Sequence, residues 1–244
     1  KVTRVRPVTI GDPKHFVNLA RSEAEKDPVG FFADQFENLS NFKAHFQGTG
    51  LEIVRQAPGI DAFVCAAGTG GTLAGCAARI KNHNENCKIA LVDPPGSALS
   101  RRINHGIAYN DKDAEGFRLR HPFDTVTEGI GLNRITMNFE QAIKNVDGAY
   151  MVEDKEATMM ARWLLAKDGI FCGSSAGVNC VGVVKMFKNG LIKKGDTVVT
   201  ILCDSGIRHL SKFWNPEYMA KFDLLCPEVL PSPLEFVRQG NVDE

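Results

Sequence analysis

The sequence has no surplus of either charge: 29 Lys and Arg balance 29 Asp and Glu, for a formal net charge of +0. That balance removes the electrostatic case for a nucleic acid or an anionic membrane as partner. No apolar run approaches the roughly 20 residues that a transmembrane helix needs. The six histidines fall singly, with no H-x-x-x-H pair, and the seven cysteines form no C-x-x-C pair. The usual zinc-ligand spacings are therefore missing, and no metal is assigned. An odd cysteine count, with several inside apolar runs, points to reduced, buried thiols in an intracellular protein, cytoplasmic or mitochondrial. There is no internal repeat, no low-complexity tract and no visible targeting segment. The first residue is Lys1 rather than Met, and Lys1 to Val8 reads as a strand. A chain that opens inside an element is expected to be cut from something longer.

What is present is ordinary globular material. The 244 residues are 43% hydrophobic and 24% charged, enough for one large or two small domains and a sizeable core. Helical and extended patterns alternate. Residues 14–25 and 42–56 read as helices, Phe31 to Phe36 as extended, and Lys88 to Val92 as a strand stopped by Asp93-Pro94-Pro95-Gly96. Residues 104–127 read as loop or short elements. Asp154 is placed as the cap of a helix striped by Ala157, Met160, Ala161, Leu164 and Leu165 and ending at Gly169. Ser174 is placed as the cap of a second helix, striped by Cys180, Val183, Val184 and Phe187 and closed by Asn189-Gly190. Thr197 to Leu202 is an unbroken apolar run, as in a strand covered on both faces. The tail after Pro227 reads as an arm. Alternation of this kind predicts an α/β fold with an open, mostly parallel twisted sheet and helices on both faces.

The richest segment is Ala67-Gly68-Thr69-Gly70-Gly71-Thr72. It follows an apolar run, Ala62 to Ala67, and precedes a helical stripe of Leu73, Cys76, Ala77 and Ile80. A glycine-rich strand-to-helix turn presents backbone N–H groups at the positive end of a helix, which suits a phosphate. Three readings are open at this point. In the first, Gly68 and Gly70 begin a dinucleotide G-x-G-x-x-G/A turn with Asp93 as the ribose acid, although Leu73 stands where the third small residue belongs. In the second, adjacent Gly70 and Gly71 wrap one monophosphate, with Thr69 and Thr72 adding hydroxyl donors. The third is a tight turn without a ligand. The cup is expected to be complete within residues 61–80.

Further stretches stand in order around this loop. Asn38-Leu39-Ser40-Asn41, Ala44-His45-Phe46 and Thr49-Gly50 precede it; Val92-Asp93-Pro94, Glu128-Gly129-Ile130-Gly131, Gly173-Ser174-Ser175-Ala176-Gly177 and Ile201-Leu202-Cys203-Asp204-Ser205-Gly206 follow. Together, over residues 1 to about 220, they resemble the cysteine synthase (O-acetylserine sulfhydrylase) and cystathionine β-synthase family. These are pyridoxal-phosphate enzymes of the tryptophan-synthase-β-like fold. The resemblance implies a remnant of a small N-terminal domain at 1–35, a large cofactor-binding domain at 36–220 and an extension at 221–244.

It also implies site residues. Gly68, Thr69, Gly70, Gly71 and Thr72 match the cofactor-phosphate cup, and Asp93 then becomes a structural strand-end acid. Gly129 lies in the loop that lines the cofactor's face. Ser205 matches the serine that hydrogen-bonds the pyridine nitrogen, while the residues alone read it as a helix cap. A hydroxyl there leaves the nitrogen largely neutral, which suits loss of a β-substituent over transamination. Gly173 to Gly177 supports the floor, and Cys203, often proline in the family, is read as a buried, inert thiol. After Gly131 the chain departs from the family pattern, which leaves the second substrate open. Arg134 would meet an anionic substrate group or form a surface ion pair.

The implied activity is a transferase or lyase carrying out β-replacement on O-acetylserine or serine by sulfide or a thiol, giving cysteine, in a homodimer. The family's S-x-K-D-R and T-S-G-N-T-G segments do not occur, and Lys43, Lys155 and Lys212 lie in helix-like polar surroundings. No catalytic residue is therefore assigned within the chain, and the Schiff-base lysine is expected upstream of Lys1. The alternatives are a serine/threonine dehydratase and a non-catalytic binding remnant.

Overall fold

Strand β1 (Ala62–Ala66) is buried at every position, and the sheet is built around it. In the computed structural model the described residues are 2–6, 8–109, 113–114, 117–118 and 125–240. β2 (Lys88–Asp93) and β6 (Val198–Thr200) flank β1, and β5 (Gly148–Met151) lies beyond β2. All three pairings are parallel, in the order β5-β2-β1-β6. A two-stranded antiparallel pair joins β3 (Asp113–Ala114) to β4 (Phe117–Arg118).

The alternation of β1 divides two cores. Phe63, Cys65 and Ala67 pack with Leu73, Cys76, Ala77 and Ile80 of α4 (Gly71–His83). Ala62, Val64 and Ala66 pack with α7 (Asp154–Asp168) and α8 (Ser174–Lys188) on the other side. Side chains such as Phe63, Leu73, Ile80 and Leu91 are fully buried, each contributing about 1.5–3 kcal/mol of apolar transfer. The predicted α/β class with helices on both faces is the observed one. Against α4 pack α2 (Ser40–Gln47), α3 (Thr49–Gln56) and α6 (Met137–Ile143), and α5 (Leu99–His105) packs against β5. The chain divides into two compact units, Lys1–Asn38 and Leu39–Glu244. The first contains α1 (Phe16–Lys26), close to the predicted 14–25.

Several expectations are corrected. No described residue of 1–8 is in a strand; residues 2–6 are exposed and have no ladder partner, and a turn from Thr9 to Asp12 follows. Phe31 to Phe36 is not a strand either, because Asp34 takes a left-handed φ of 46° and opens a turn. The helix expected over 42–56 is two helices. Gly48 closes α2 by donating to Ala44 O at 2.8 Å and starts α3 by accepting from Glu52 N at 2.9 Å. The reading of 104–127 as loop or short elements agrees with the end of α5 and the two-residue β3–β4 pair, and residues 110–112, 115–116 and 119–124 lie outside the described residues.

β6 is shorter than Thr197 to Leu202 and only half-buried, since it is the edge of this sheet rather than a covered centre. The cap of α7 is Glu153, in a capping box with Glu156. Asp154 instead accepts from Thr125 Oγ1 at 2.5 Å and Val126 N at 2.9 Å. Gly173 rather than Ser174 is the N-cap of α8. The α8 stripe is also rotated from expectation. Val178, Val181, Gly182, Lys185 and Met186 are buried, while Cys180, Val183 and Val184 are partly exposed and Phe187 is exposed. Aliphatic content misled here, because a lysine stands on the inner face.

That lysine explains the tail. Lys185 Nζ lies 3.0 Å from Glu156 Oε1, and each side chain is 3% exposed. The same Glu156 oxygen accepts from Arg238 N at 2.8 Å, and Lys185 donates to Arg238 O at 3.2 Å. Lys188 donates to Val237 O at 2.6 Å, and Asn189 donates to Gln239 O at 2.8 Å. The segment after α10 (Pro233–Phe236) is therefore plugged into α7 and α8 rather than free. Earlier in this stretch, α9 (Pro216–Ala220) is capped by Asn215.

Candidate functional site

Gly68 to Thr72 forms the turn between β1 and α4. Gly70 caps α4 with φ +89°, a conformation that favours glycine. The first ladder bond runs from Ala74 N to Gly70 O at 2.9 Å. The N–H groups of Gly71, Thr72 and Leu73 precede that ladder, at the positive end of a 13-residue helix. Thr69 Oγ1 accepts from Asn41 Nδ2 at 2.8 Å, so its own proton is free to be donated. Thr72 Oγ1 lies 3.1 Å from His45 Nε2, and His45 Nδ1 lies 3.0 Å from Thr49 Oγ1. Burial lowers the His45 pKa, which favours the neutral ring. A donor set of helix N–H groups and threonine hydroxyls, with no acidic residue in the first turn of α4, fits a monophosphate.

The cup is not complete within residues 61–80. Thr136 donates to Thr69 O at 2.6 Å, and Gly131 N donates to Ala67 O at 2.8 Å. A Cβ at Gly68 would lie 2.4 Å from Gly129 O, so the loop carrying Gly129 rests directly on the cup. Gly129 and Gly131 have φ of 80° and 82°.

Ser205 is reached from the other side. Its side chain is exposed and caps a 3₁₀ turn, Gly206–His209, by accepting from Ile207 N at 3.4 Å. The residues leading to it are held by Asn179, which is fully buried. Asn179 Oδ1 accepts from Ala66 N at 2.7 Å, and Nδ2 donates to Ile201 O at 2.7 Å. This one amide replaces the ladder where β1 and β6 part, and it links the strand entering the cup to the strand entering Ser205. Ser174 Oγ accepts from Glu128 N at 3.1 Å, so Gly173 to Gly177 supports the Gly129 loop. Asn41, His45, Asn179 and Ser174 were not assigned these contacts from sequence. Asn41 and His45 lay inside a quoted motif, but nothing local shows what they bond.

One reading changes. Cys203 is exposed rather than buried, with Asn179 Nδ2 3.6 Å from its Sγ. Arg134 is partly exposed and already engaged. Asp93 is fully buried and accepts from Ser100 N at 2.8 Å, a structural role for the strand-end acid. Burial raises its pKa from 3.8 to about 6. A carboxyl whose folded pKa lies above its unfolded value stabilises the fold below about pH 4, and that contribution is lost as pH rises through about 6. Asp93→Asn is expected to remove this part of the pH dependence, a fall in stability of about 3 kcal/mol between pH 4 and pH 8. Urea unfolding at pH 4 and pH 8 measures it; parallel pH profiles for both proteins would contradict the assignment.

The model for pyridoxal-phosphate dependent enzymes matches residues 3–204. The chain belongs to the pyridoxal-phosphate dependent enzymes. Among proteins of this family it is 46% identical to cysteine synthase 2 of Schizosaccharomyces pombe, over 97% of the chain and 61% of that protein. It is 51% identical to cysteine synthase 2 of Neurospora crassa, over 87% of the chain and 48% of that protein. A crystal structure of an O-acetylserine dependent cystathionine beta-synthase from Helicobacter pylori matches with a TM-score of 0.63 at 30% identity, covering 79% of this chain and 56% of that one. The chain thus spans 48–61% of the length of the two curated relatives.

Proposed function

We propose that this chain is the cofactor-phosphate and cofactor-ring part of a cysteine synthase-type enzyme. The observation that carries the reading is the meeting of the Gly68–Thr72 cup, the Gly129 loop resting on it, and the Ser205 segment tied to the same strand end by Asn179. The identity to proteins named cysteine synthase supports the same reading. The substrates proposed are O-acetylserine or serine, with sulfide or a thiol as the second substrate, and the assembly proposed is a homodimer.

Pyridoxal phosphate, when bound, supplies an electron-withdrawing ring that makes a substrate's α-proton removable and its β-substituent a leaving group. The chain's own residues bind and orient. The helix N–H groups with Thr69 and Thr72 would hold the phosphate, Gly129 would let backbone approach the ring face, and Ser205 would donate its hydroxyl to the ring nitrogen. Neutral Ser205 fits chemistry that expels a β-group better than chemistry needing a protonated ring. The covalent anchor is assigned outside these 244 residues. Within the chain, Lys185 is buried against Glu156, and Lys212 donates to Glu128 at 2.7 Å. That bond and the glutamate's charge raise the Lys212 pKa and hold it as an ammonium.

The test uses the full-length protein with pyridoxal phosphate, O-acetylserine and sulfide. Cysteine as product is expected, with an absorbance change on adding O-acetylserine. A ketoacid product would move the assignment to a dehydratase, and a protein that retains no cofactor would end it. In a second test, borohydride reduction of the 244-residue chain with pyridoxal phosphate is expected to fix cofactor at no single lysine. Stoichiometric labelling of one lysine would place the anchor inside the chain.

A further inference from the structure

One buried histidine touches both segments assigned to the cofactor ring. Asp204 immediately precedes Ser205, and Glu128 immediately precedes Gly129. His209, 6% exposed, stands between the two acids. Its Nε2 is 2.8 Å from Asp204 Oδ2, and its Nδ1 is 4.0 Å from Glu128 Oε2. An ionised carboxylate only accepts, so Nε2 carries a proton and donates it to Asp204.

The surroundings fix this ring tightly. From the N-cap of α8, Gly173 presses on the pair: a Cβ there would lie 1.9 Å from Asp204 Oδ1 and 2.6 Å from His209 Nε2. Gly173 N also donates to Asp204 O at 3.0 Å. The Phe213 ring meets His209 edge-on, with centroids 6.3 Å apart, and Trp214 N donates to His209 O at 3.0 Å. On the far side, Lys212 holds the other oxygen of Glu128 at 2.7 Å.

The arrangement is more than a satisfied core histidine. His209 Nδ1 and Asp204 Oδ1 are both buried without a hydrogen-bond partner among the described residues. A purely structural histidine would be expected to have both ring nitrogens bonded. Here one nitrogen is bonded to the Ser205 side, and the other faces the Gly129 side across a gap too long for a hydrogen bond. The ring therefore lies between the two loops, bonded to one and 4.0 Å from the other.

We propose that His209 is a positioning residue for the cofactor ring, holding Asp204, and so the Ser205 hydroxyl, in register with the Glu128–Gly129 loop. The inference rests on the functional reading above. Ser205 is exposed and, among the described residues, its side chain makes only a 3.4 Å contact with Ile207 N, so its direction is set by the segment that carries it. That segment is held along its backbone by Asn179 at Ile201 O and by the Gly173 N–Asp204 O and Gly206 N–Phe171 O bonds, and the Asp204 side chain adds the tie to His209.

The experiment measures pyridoxal phosphate affinity by fluorescence titration, the emission of the bound cofactor, and thermal stability, in the full-length protein. His209→Leu is expected to weaken binding roughly tenfold and shift the emission. His209→Gln, which offers an amide donor to Asp204, is expected to restore both to near wild type. Asp204→Ala removes the same bond from its other end and should reproduce the leucine variant's loss, which keeps the test valid if His209→Leu does not fold. The double variant should lose no more than the larger single one. Unchanged affinity and emission in His209→Leu would overturn the inference alone, as would equal impairment of the leucine and glutamine variants. A wild-type protein that does not bind pyridoxal phosphate would overturn the functional reading itself.

Discussion

Gly70→Ala is expected to abolish cofactor binding and to destabilise the fold. The residue has φ +89°, and an added Cβ would lie 2.5 Å from Phe139 Cα and 2.7 Å from Phe139 N. Those are backbone atoms of α6, which cannot swing aside as a flexible side chain would. Left-handed backbone strain adds to overpacking, for a total of about 2–4 kcal/mol. Relief of the clash would move α6 away from the cup and break the Thr136 bond to Thr69 O. Gly68→Ala is a useful contrast, because its Cβ would meet Gly129 O at 2.4 Å. That change pushes out a surface-reaching loop rather than a packed helix. It should cost less stability while still weakening pyridoxal phosphate binding. Urea unfolding and a cofactor titration on both variants separate the two effects. Wild-type affinity in Gly70→Ala would show that the cup does not hold the phosphate.

Glu156→Ala should be the most destabilising change outside the site. It leaves the Lys185 ammonium 3% exposed without its carboxylate and removes the acceptor for Arg238 N. Breaking a buried pair from one side costs about 3–5 kcal/mol. Glu156→Gln keeps one acceptor oxygen for Lys185 Nζ and Arg238 N but sets its NH2 against Glu153 N, and should lose less than the alanine variant. The double change Glu156→Leu with Lys185→Met should recover part of the loss, since no charge is then stranded. Recovery would be incomplete because Glu153 N, which donates to Glu156 Oε2 at 2.9 Å, and Arg238 N lose their acceptor. The tail should also be cut faster by protease in Glu156→Ala. Stability and cleavage equal to wild type would mean that the ion pair does not hold the tail.

How much of this was legible beforehand differs by element. β1, α4 and β2 were read correctly because their signals are local: an apolar run, a stripe at helical spacing and a glycine turn between them. The strand at Lys1 to Val8 was read from a local pattern too, yet the described residues of that stretch form no ladder. A strand is completed by a partner, and residue order does not say whether one is present. β6 shows the same limit. Its apolar run suggested a covered strand, but three half-buried residues at a sheet edge form it.

Sequence alone determined the α/β class, the glycine-rich strand-to-helix turn and, by resemblance, the family; the residues for phosphate, ring face and ring nitrogen are proposals that rest on that resemblance. Only the tertiary structure decided what holds those residues in place. Asn41 reaches Thr69 across 28 residues, Asn179 joins Ala66 to Ile201 across 113 and 22 residues, and Lys185 finds Glu156 across 29. These are side-chain hydrogen bonds between elements distant in the chain. A polar residue on an apolar helix face carries no local sign of its partner, because the partner exists only after the sheet and helices have packed.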